Sequence, residues 1–223
     1  LGDFLKVAET PGFDPRTTAF MMPTTEGPCR FGQYSTYIRK VFRDLGYAEV
    51  LVISPTCGDG YQETGGPGPA LTRTVWRGLV ASDILRKLLF KTRPYERNPG
   101  DADAAYALSL REVCTILEAP TRRHRERLDA LVHALTRIRD RFRAVPARYE
   151  RGRLLIGIQG EIFCRMNEFS NEDLIRHLET CGGEAWLSDV SEWVWYCNSE
   201  QERLLRQEGK RFSFPMLGAK IRD

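Results

Sequence analysis

Six cysteines, at positions 29, 57, 114, 164, 181 and 197, are the side chains of this sequence most suited to redox or metal chemistry. None of them forms a Cys-x-x-Cys pair, so spacing alone indicates neither a structural zinc site nor a ferredoxin-type cluster. Ligands gathered from distant turns are still compatible with that spacing, while a reducing compartment disfavours disulfides. Cys29 stands out through its neighbours, in the stretch Pro23-Thr-Thr-Glu-Gly-Pro-Cys-Arg-Phe-Gly-Gln-Tyr34. A thiol entering a helix meets unpaired backbone N–H groups and the positive end of the helix dipole, which favour a thiolate, a phosphate or a cluster sulfide. Arg30 adds a positive charge beside it, Gly27 and Gly32 let backbone approach a ligand, and Pro28 stiffens the path. The plainer reading of Cys29 is a small residue packed beneath a turn.

The elements that would position this thiol follow from the flanking pattern. A short apolar run, Thr18–Met22, precedes the cysteine turn, and a helical pattern over 33–45 follows it. Gly46 stops that helix, and Glu49–Ile53 reads as a second strand. This is one βαβ unit with a right-handed crossover in a parallel sheet. Its second strand runs into Ser54-Pro-Thr-Cys-Gly-Asp-Gly-Tyr61, another turn at a carboxyl edge. Ligands of parallel sheets bind at such edges, so Cys29 and Cys57 would face one site if the two strands are neighbours. The loop Gly65-Gly-Pro-Gly-Pro69 reads as a flexible connection, because neither a Walker-type loop nor Gly-x-Gly-x-x-Gly is present.

Residues 70 to 144 are helical in pattern, in about three pieces broken near Arg93-Pro94, Asn98–Gly100 and Ala119-Pro120. Leu128, Leu131, Val132, Leu135, Ile138 and Phe142 recur at helical spacing as an apolar face, with the arginines largely opposite. Cys114, among Val113, Ile116 and Leu117, reads as core packing. His124 and His133 are nine residues apart, too far along one helix to form a metal pair on adjacent turns, and read as surface or partner contacts. The net charge of +3 conceals an asymmetry, since residues 121 to 153 hold eleven Arg against four acids, or +7, and the remainder carries −4. Such a segment attracts an acidic partner or a phosphorylated ligand, or is simply a solvated helix face. Nucleic acid is disfavoured as its partner, because no aromatic interleaving or nucleic-acid motif accompanies the charge.

After Pro146 the α/β texture returns. Arg153–Ile158 reads as a strand, Asn171 as the start of a helix stopped by Gly182-Gly183, and Glu184–Leu187 as the partner strand of a second βαβ unit. Glu161 falls at the sheet edge, where a carboxylate could bind a ligand, cap the next turn or pair with Arg165, and a positional role is preferred. Ser191–Tyr196 is aromatic-rich and reads as a buried or interface cluster, Gln201–Gly209 as a polar helix, and Phe212 to Leu217 as a further apolar element.

With 42% hydrophobic and 28% charged residues, composition excludes a disordered or fibrous chain. No apolar run is long enough to cross a bilayer and no secretory leader pattern is visible, so a cytoplasmic location is expected. The sequence starts at Leu1 rather than Met and reads as part of a longer polypeptide. The expected organisation is a first βαβ unit over 1–69, a helical segment over 70–147, and a second βαβ unit with a C-terminal helix over 148–223.

Several blocks together resemble a known family: Met22–Tyr34, Leu45-Gly-Tyr47, Ser54-Pro55 leading to Asp59-Gly-Tyr61, Ile156-Gly-Ile-Gln-Gly-Glu-Ile-Phe-Cys-Arg-Met-Asn167, Ser170–Asp173, Leu178-Glu179 and Glu192-Trp193. They are similar to the activase-associated proteins of the 2-hydroxyacyl-CoA dehydratase superfamily, described as CoA-substrate-specific enzyme activase-related. The similarity is weakest over residues 70 to 150. It implies Rossmann-like or flavodoxin-like parallel-sheet units with a linking helical segment. It also implies a [4Fe–4S] cluster that receives an electron from an ATP-dependent activase domain or subunit, within a system acting on an acyl-CoA substrate. Carried onto this chain, it makes Cys29 the leading cluster ligand, with Cys57 a second candidate supported by geometry. Gly27, Arg30, Gly32, Gln33, Asp59, Tyr61 and Glu161 become the cofactor-binding set. Cys164 stands where an apolar residue is expected, so it reads as packing. Further cluster cysteines are expected outside these residues, and the activase's nucleotide-binding domain is not among them, so ATP hydrolysis is not assigned here. The competing expectation is a non-catalytic scaffold that docks an acidic partner through Arg137, Arg141 and Arg143.

Overall fold

The computed structural model describes residues 1–25, 29–56, 68–120, 123–149 and 152–210. It is a mixed α/β structure, mostly helical, with two small parallel two-stranded sheets. The chain divides into two compact units, Leu1–Arg73 and Thr74–Asp223.

The first unit opens with α1 (Gly2–Ala8), followed by β1 (Ala19–Met21), a 3₁₀ turn (Arg30–Gln33), α2 (Tyr34–Asp44) and β2 (Leu51–Ile53). β1 and β2 pair in parallel, with Phe20 opposite Val52. The buried residues of α2, Ser35, Ile38 and Phe42, recur at helical spacing and turn one stripe onto the sheet. Phe42 stacks on Phe20 with ring centroids 5.0 Å apart, and Phe4 of α1 stacks on Phe20 at 4.6 Å. Gly46 ends α2 with φ +84, and Tyr47 N–H donates to Phe42 O while Gly46 N–H donates to Arg43 O. That left-handed residue reverses the chain toward β2, as the sequence expects of a glycine there.

The linking helix α3 (Gly68–Thr92) runs across the boundary between the units. In the second unit it gives way to a 3₁₀ turn (Arg93–Tyr95), α4 (Asp101–Glu118), α5 (His124–Arg143), β3 (Leu154–Ile158), α6 (Ile162–Met166), α7 (Leu174–Thr180), β4 (Gly183–Leu187) and α8 (Val190–Gln207). The helix breaks fall where proline and glycine interrupt the pattern. β3 and β4 are parallel, running in register from Leu154 with Gly183 to Ile158 with Leu187. Leu85, Leu89, Val113, Leu131, Ile138, Phe142, Ala185 and Leu187 are among the residues of a single apolar cluster.

Several expectations change. Cys114 and Cys164 are exposed rather than packed, because each lies on a helix face turned from the core. Leu128 and Val132 are 42% and 54% exposed, so the buried stripe of α5 is Leu131, Ala134, Ile138 and Phe142. α7 starts after Asp173, and the aromatic stretch at 191–196 continues into the polar one as the single helix α8. Asn171 lies outside α7, where its side chain accepts from Leu174 N–H and donates to the carbonyls of Cys164 and Arg165. Among the described residues no helix is long and apolar enough to cross a membrane. The expected apolar element at Phe212 to Leu217 lies outside the described residues.

Candidate functional site

The predicted thiol, Cys29, follows β1 in sequence and precedes α2. Cys29 is the residue before the 3₁₀ turn, extended at φ −117 and ψ 131, and its side chain makes no capping bond. The 3₁₀ turn passes directly into α2, so the thiol stands at the start of a continuous helical array, where the dipole favours negative charge. Cys29, Arg30 and Gln33 are exposed. Phe31 packs edge-on against Tyr34, with centroids 5.6 Å apart.

The strand ends below the turn are tied together beyond the regular sheet. Met22 N–H donates to Ile53 O at 2.9 Å, and Ser54 Oγ donates to Met22 O at 3.0 Å. Thr24 N–H donates to Pro55 O at 2.9 Å, and Thr24 bridges Thr56 in parallel. The strands carrying the two cysteine turns are therefore neighbours, which is the condition set for Cys29 and Cys57 to share an edge. Gly27, Cys57, Asp59 and Tyr61 lie outside the described residues. Gly32 is required by a close approach, since a Cβ there would meet Thr25 O at 2.6 Å.

The second carboxyl edge, after β3 and β4, is built differently. Glu161 precedes α6 and its carboxylate accepts from Cys164 N–H at 2.9 Å, the capping alternative named for it. Arg165, offered as its ion-pair partner, instead donates to Gly160 O at 3.2 Å and Asp189 O at 3.5 Å. Asp189 caps α8 in a reciprocal box with Glu192, and its carboxylate pairs with Lys87, whose ammonium lies 5.0 Å from the Trp186 ring centre. Asp83 is 2% exposed, pairs with Arg86 and accepts from Ser191 N–H at 2.9 Å. Burial pushes the Asp189 carboxyl up; Lys87 opposes this, and the neighbouring Asp83 and Glu192 carboxylates reinforce it.

No protein-family model, curated protein or solved structure matches this chain.

A second ion network holds the helices of this unit. Arg93, 8% exposed, donates to both oxygens of Glu179 at 2.8 and 2.9 Å and to Asp103 at 3.0 Å, while Arg176 donates to the other Asp103 oxygen at 2.7 Å. Burial works against the charged Arg93, but the bonds to Glu179 and Asp103 outweigh it and raise its pKa. Likewise burial opposes ionisation of Asp103, yet the two arginines hold it below its ordinary range.

Sequence reasoning did not single out Asp83, Arg86, Lys87 or Asp189. Their signals were present, as the i, i+3, i+4 charges of α3 and as Asp189 three residues before Glu192, the capping-box spacing. The arginines offered for partner docking are partly engaged within the chain. Arg137 and Arg141 both donate to Glu112, at 2.6 and 2.9 Å, and Arg141 also donates to Ser109 Oγ at 2.8 Å.

Among the described residues no group of three or more His, Cys, Asp or Glu side chains comes together to hold a metal. Cys29 lies in the first unit, whereas Cys114, Cys164, Cys181 and Cys197 are exposed on separate elements of the second. The described residues thus offer one thiol at this edge and do not by themselves complete a cluster site.

Proposed function

We propose that this chain is an iron–sulfur redox module related to the 2-hydroxyacyl-CoA dehydratase components, built on Rossmann-like units. The carrying observation is the exposed, uncapped Cys29 at the entrance to a helix on the carboxyl edge of a parallel strand pair. In this reading Cys29 is one ligand of a [4Fe–4S] cluster. Cys57 and thiols outside these 223 residues supply the others. Arg30 offsets the charge of thiolates and sulfides. A bound cluster supplies one-electron chemistry at low potential, delivered by an ATP-dependent activase and used in an acyl-CoA reaction. The protein's own contribution is to present the Cys29 side chain to the cluster at a helix entrance beside Arg30.

Anaerobic reconstitution of the full-length polypeptide with ferrous iron and sulfide tests the reading. Expected are bound iron and sulfide with visible thiolate-to-iron absorption, both lost in Cys29→Ser. Protein that stays colourless and iron-free under those conditions overturns it.

A further inference from the structure

We propose that the open face of the β3–β4 sheet docks an acidic amphipathic helix of a partner protein. Side chains alternate across a strand, and in β4 the buried Gly183, Ala185 and Leu187 leave Glu184 and Trp186 on the other face. Leu155 of β3 stands opposite Glu184 in the parallel register and so shares that face. Ile158, Ala185 and Leu187 join the apolar cluster on the covered side. On the open side Leu155 is 61% exposed and Trp186 46%. A parallel strand pair ordinarily carries helices over both faces.

The rim of the open face is aromatic and basic. The Tyr95 hydroxyl donates to the Glu184 carboxylate, Tyr149 stacks on Tyr95 with ring centroids 5.0 Å apart, and the Arg153 guanidinium stands 5.2 Å from the Tyr95 ring centre. Tyr149 is 61% exposed. An antiparallel bridge fixes this corner, since Arg148 N–H donates to Tyr95 O and Arg97 N–H to Pro146 O, each at 2.8 Å. The neighbouring carboxylates are committed to the chain's own donors. Glu184 accepts from Tyr95, and Glu96, whose backbone bridges Ala147, accepts from Gly100 N–H at 2.9 Å and Ala102 N–H at 2.7 Å. Among the described residues neither Arg148 nor Arg153 has a carboxylate partner. In sequence, residues 148–153 hold three arginines against one glutamate.

Charge and shape together select the occupant. Trp, Tyr and Arg around an apolar patch are the side chains that dominate contacts between proteins. The unpaired arginines favour a segment that carries carboxylates, while Leu155 and Trp186 need apolar side chains to cover them. A helix with leucines on one face and glutamates along its flanks supplies both, and helices are the elements that cover parallel sheets. The α5 surface fits such a partner less well, because Glu112 already holds Arg137 and Arg141. None of the docking residues is a cysteine, and docking here does not depend on a bound cluster.

The experiment titrates the full-length polypeptide with three fluorescein-labelled synthetic peptides of about 18 residues, long enough to be helical. One carries Leu on one face and Glu on its flanks, one has Lys for each Glu, and one has the residues of the first in an order without an apolar face. Fluorescence anisotropy and amide exchange over residues 153–158 and 183–187 are the readouts. The first peptide alone binds, less tightly as salt is raised, and slows exchange in both strands. Arg148→Glu with Arg153→Glu weakens its binding by about tenfold, and Leu155→Thr by about fivefold, whereas Arg137→Glu leaves it unchanged. Absence of binding, equal binding of either other peptide, or undiminished binding in the double variant overturns the proposal. Strands already protected before any peptide is added, with no binding on addition, show a face covered by the polypeptide itself and overturn it equally. If the double variant does not fold, Tyr149→Ser takes its place, and unchanged affinity there overturns the proposal.

Discussion

The two carboxyl edges of this protein start from the same plan and end differently. Each belongs to a parallel strand pair whose first strand is followed in sequence by a helix. In the first unit the residue entering that helix is a cysteine whose side chain makes no capping bond and faces solvent. In the second, Glu161 supplies a carboxylate to Cys164 N–H, and Asp189 and Asp83 serve the start of α8. A helix entrance already occupied by the protein's own carboxylates has little remaining attraction for an external anion. Among the described residues no carboxylate serves the entrance at Cys29. The second edge also balances its buried acids with Arg86 and Lys87, as a buried charge requires. The contrast makes the second edge a structural joint and leaves the thiol of the first facing solvent.

The largest expected effect is in the second unit. Arg93→Met leaves the buried Glu179 unpaired and costs about 3–5 kcal/mol of stability, measured by urea unfolding of the whole chain. Arg93→Met with Glu179→Leu recovers most of that loss. A single variant as stable as the parent would remove the claim that charge pairing holds this unit together. Next is Gly32→Ala, in which a methyl group meets the Thr25 carbonyl. The cost is about 1–3 kcal/mol, seen as faster exchange in residues 29–34 with residues 161–166 and 189–192, at the second edge, unaffected. Loosening of both regions would dissolve the distinction between the edges.

The smallest effect concerns pH. The Tyr95 hydroxyl donates to Glu184 at 2.5 Å, and this bond, with burial and the Glu184 charge, pushes its pKa up to about 12 from 10. A phenol whose pKa is raised on folding contributes stability that is complete below the unfolded value and is lost as pH rises through the folded one. Stability should therefore fall between pH 10 and about 12 through this group, and Tyr95→Phe should remove that part of the slope. Tyrosinate absorbance during alkaline titration identifies the late-titrating residue, and its persistence in Tyr95→Phe would refute the assignment.

Local order was readable wherever one residue type has one physical consequence. Gly46 marked the end of α2 because a left-handed residue was needed there, and Pro94 with Asn98–Gly100 marked the break between α3 and α4. The parallel pairing of β1 with β2 followed from a helix-length connection. Burial was harder to read. Cys114 and Cys164 have apolar neighbours in sequence yet point to solvent, since periodicity identifies a face without saying which neighbouring element covers it. Arg137 and Arg141 looked free for a partner, although Glu112, 25 and 29 residues away, holds both.

From the order of residues alone came the longer elements and their breaks, and the placement of one thiol at a helix entrance, because torsional preference and hydrophobic periodicity act over a few positions; the short helices α1 and α6 were not legible there. Only tertiary structure decided which charges neutralise one another. Arg93 reaches Glu179 across 86 residues and Asp83 reaches Ser191 across 108. Such pairs form only where packing has excluded water, and that exclusion is a property of the assembled elements rather than of any local stretch.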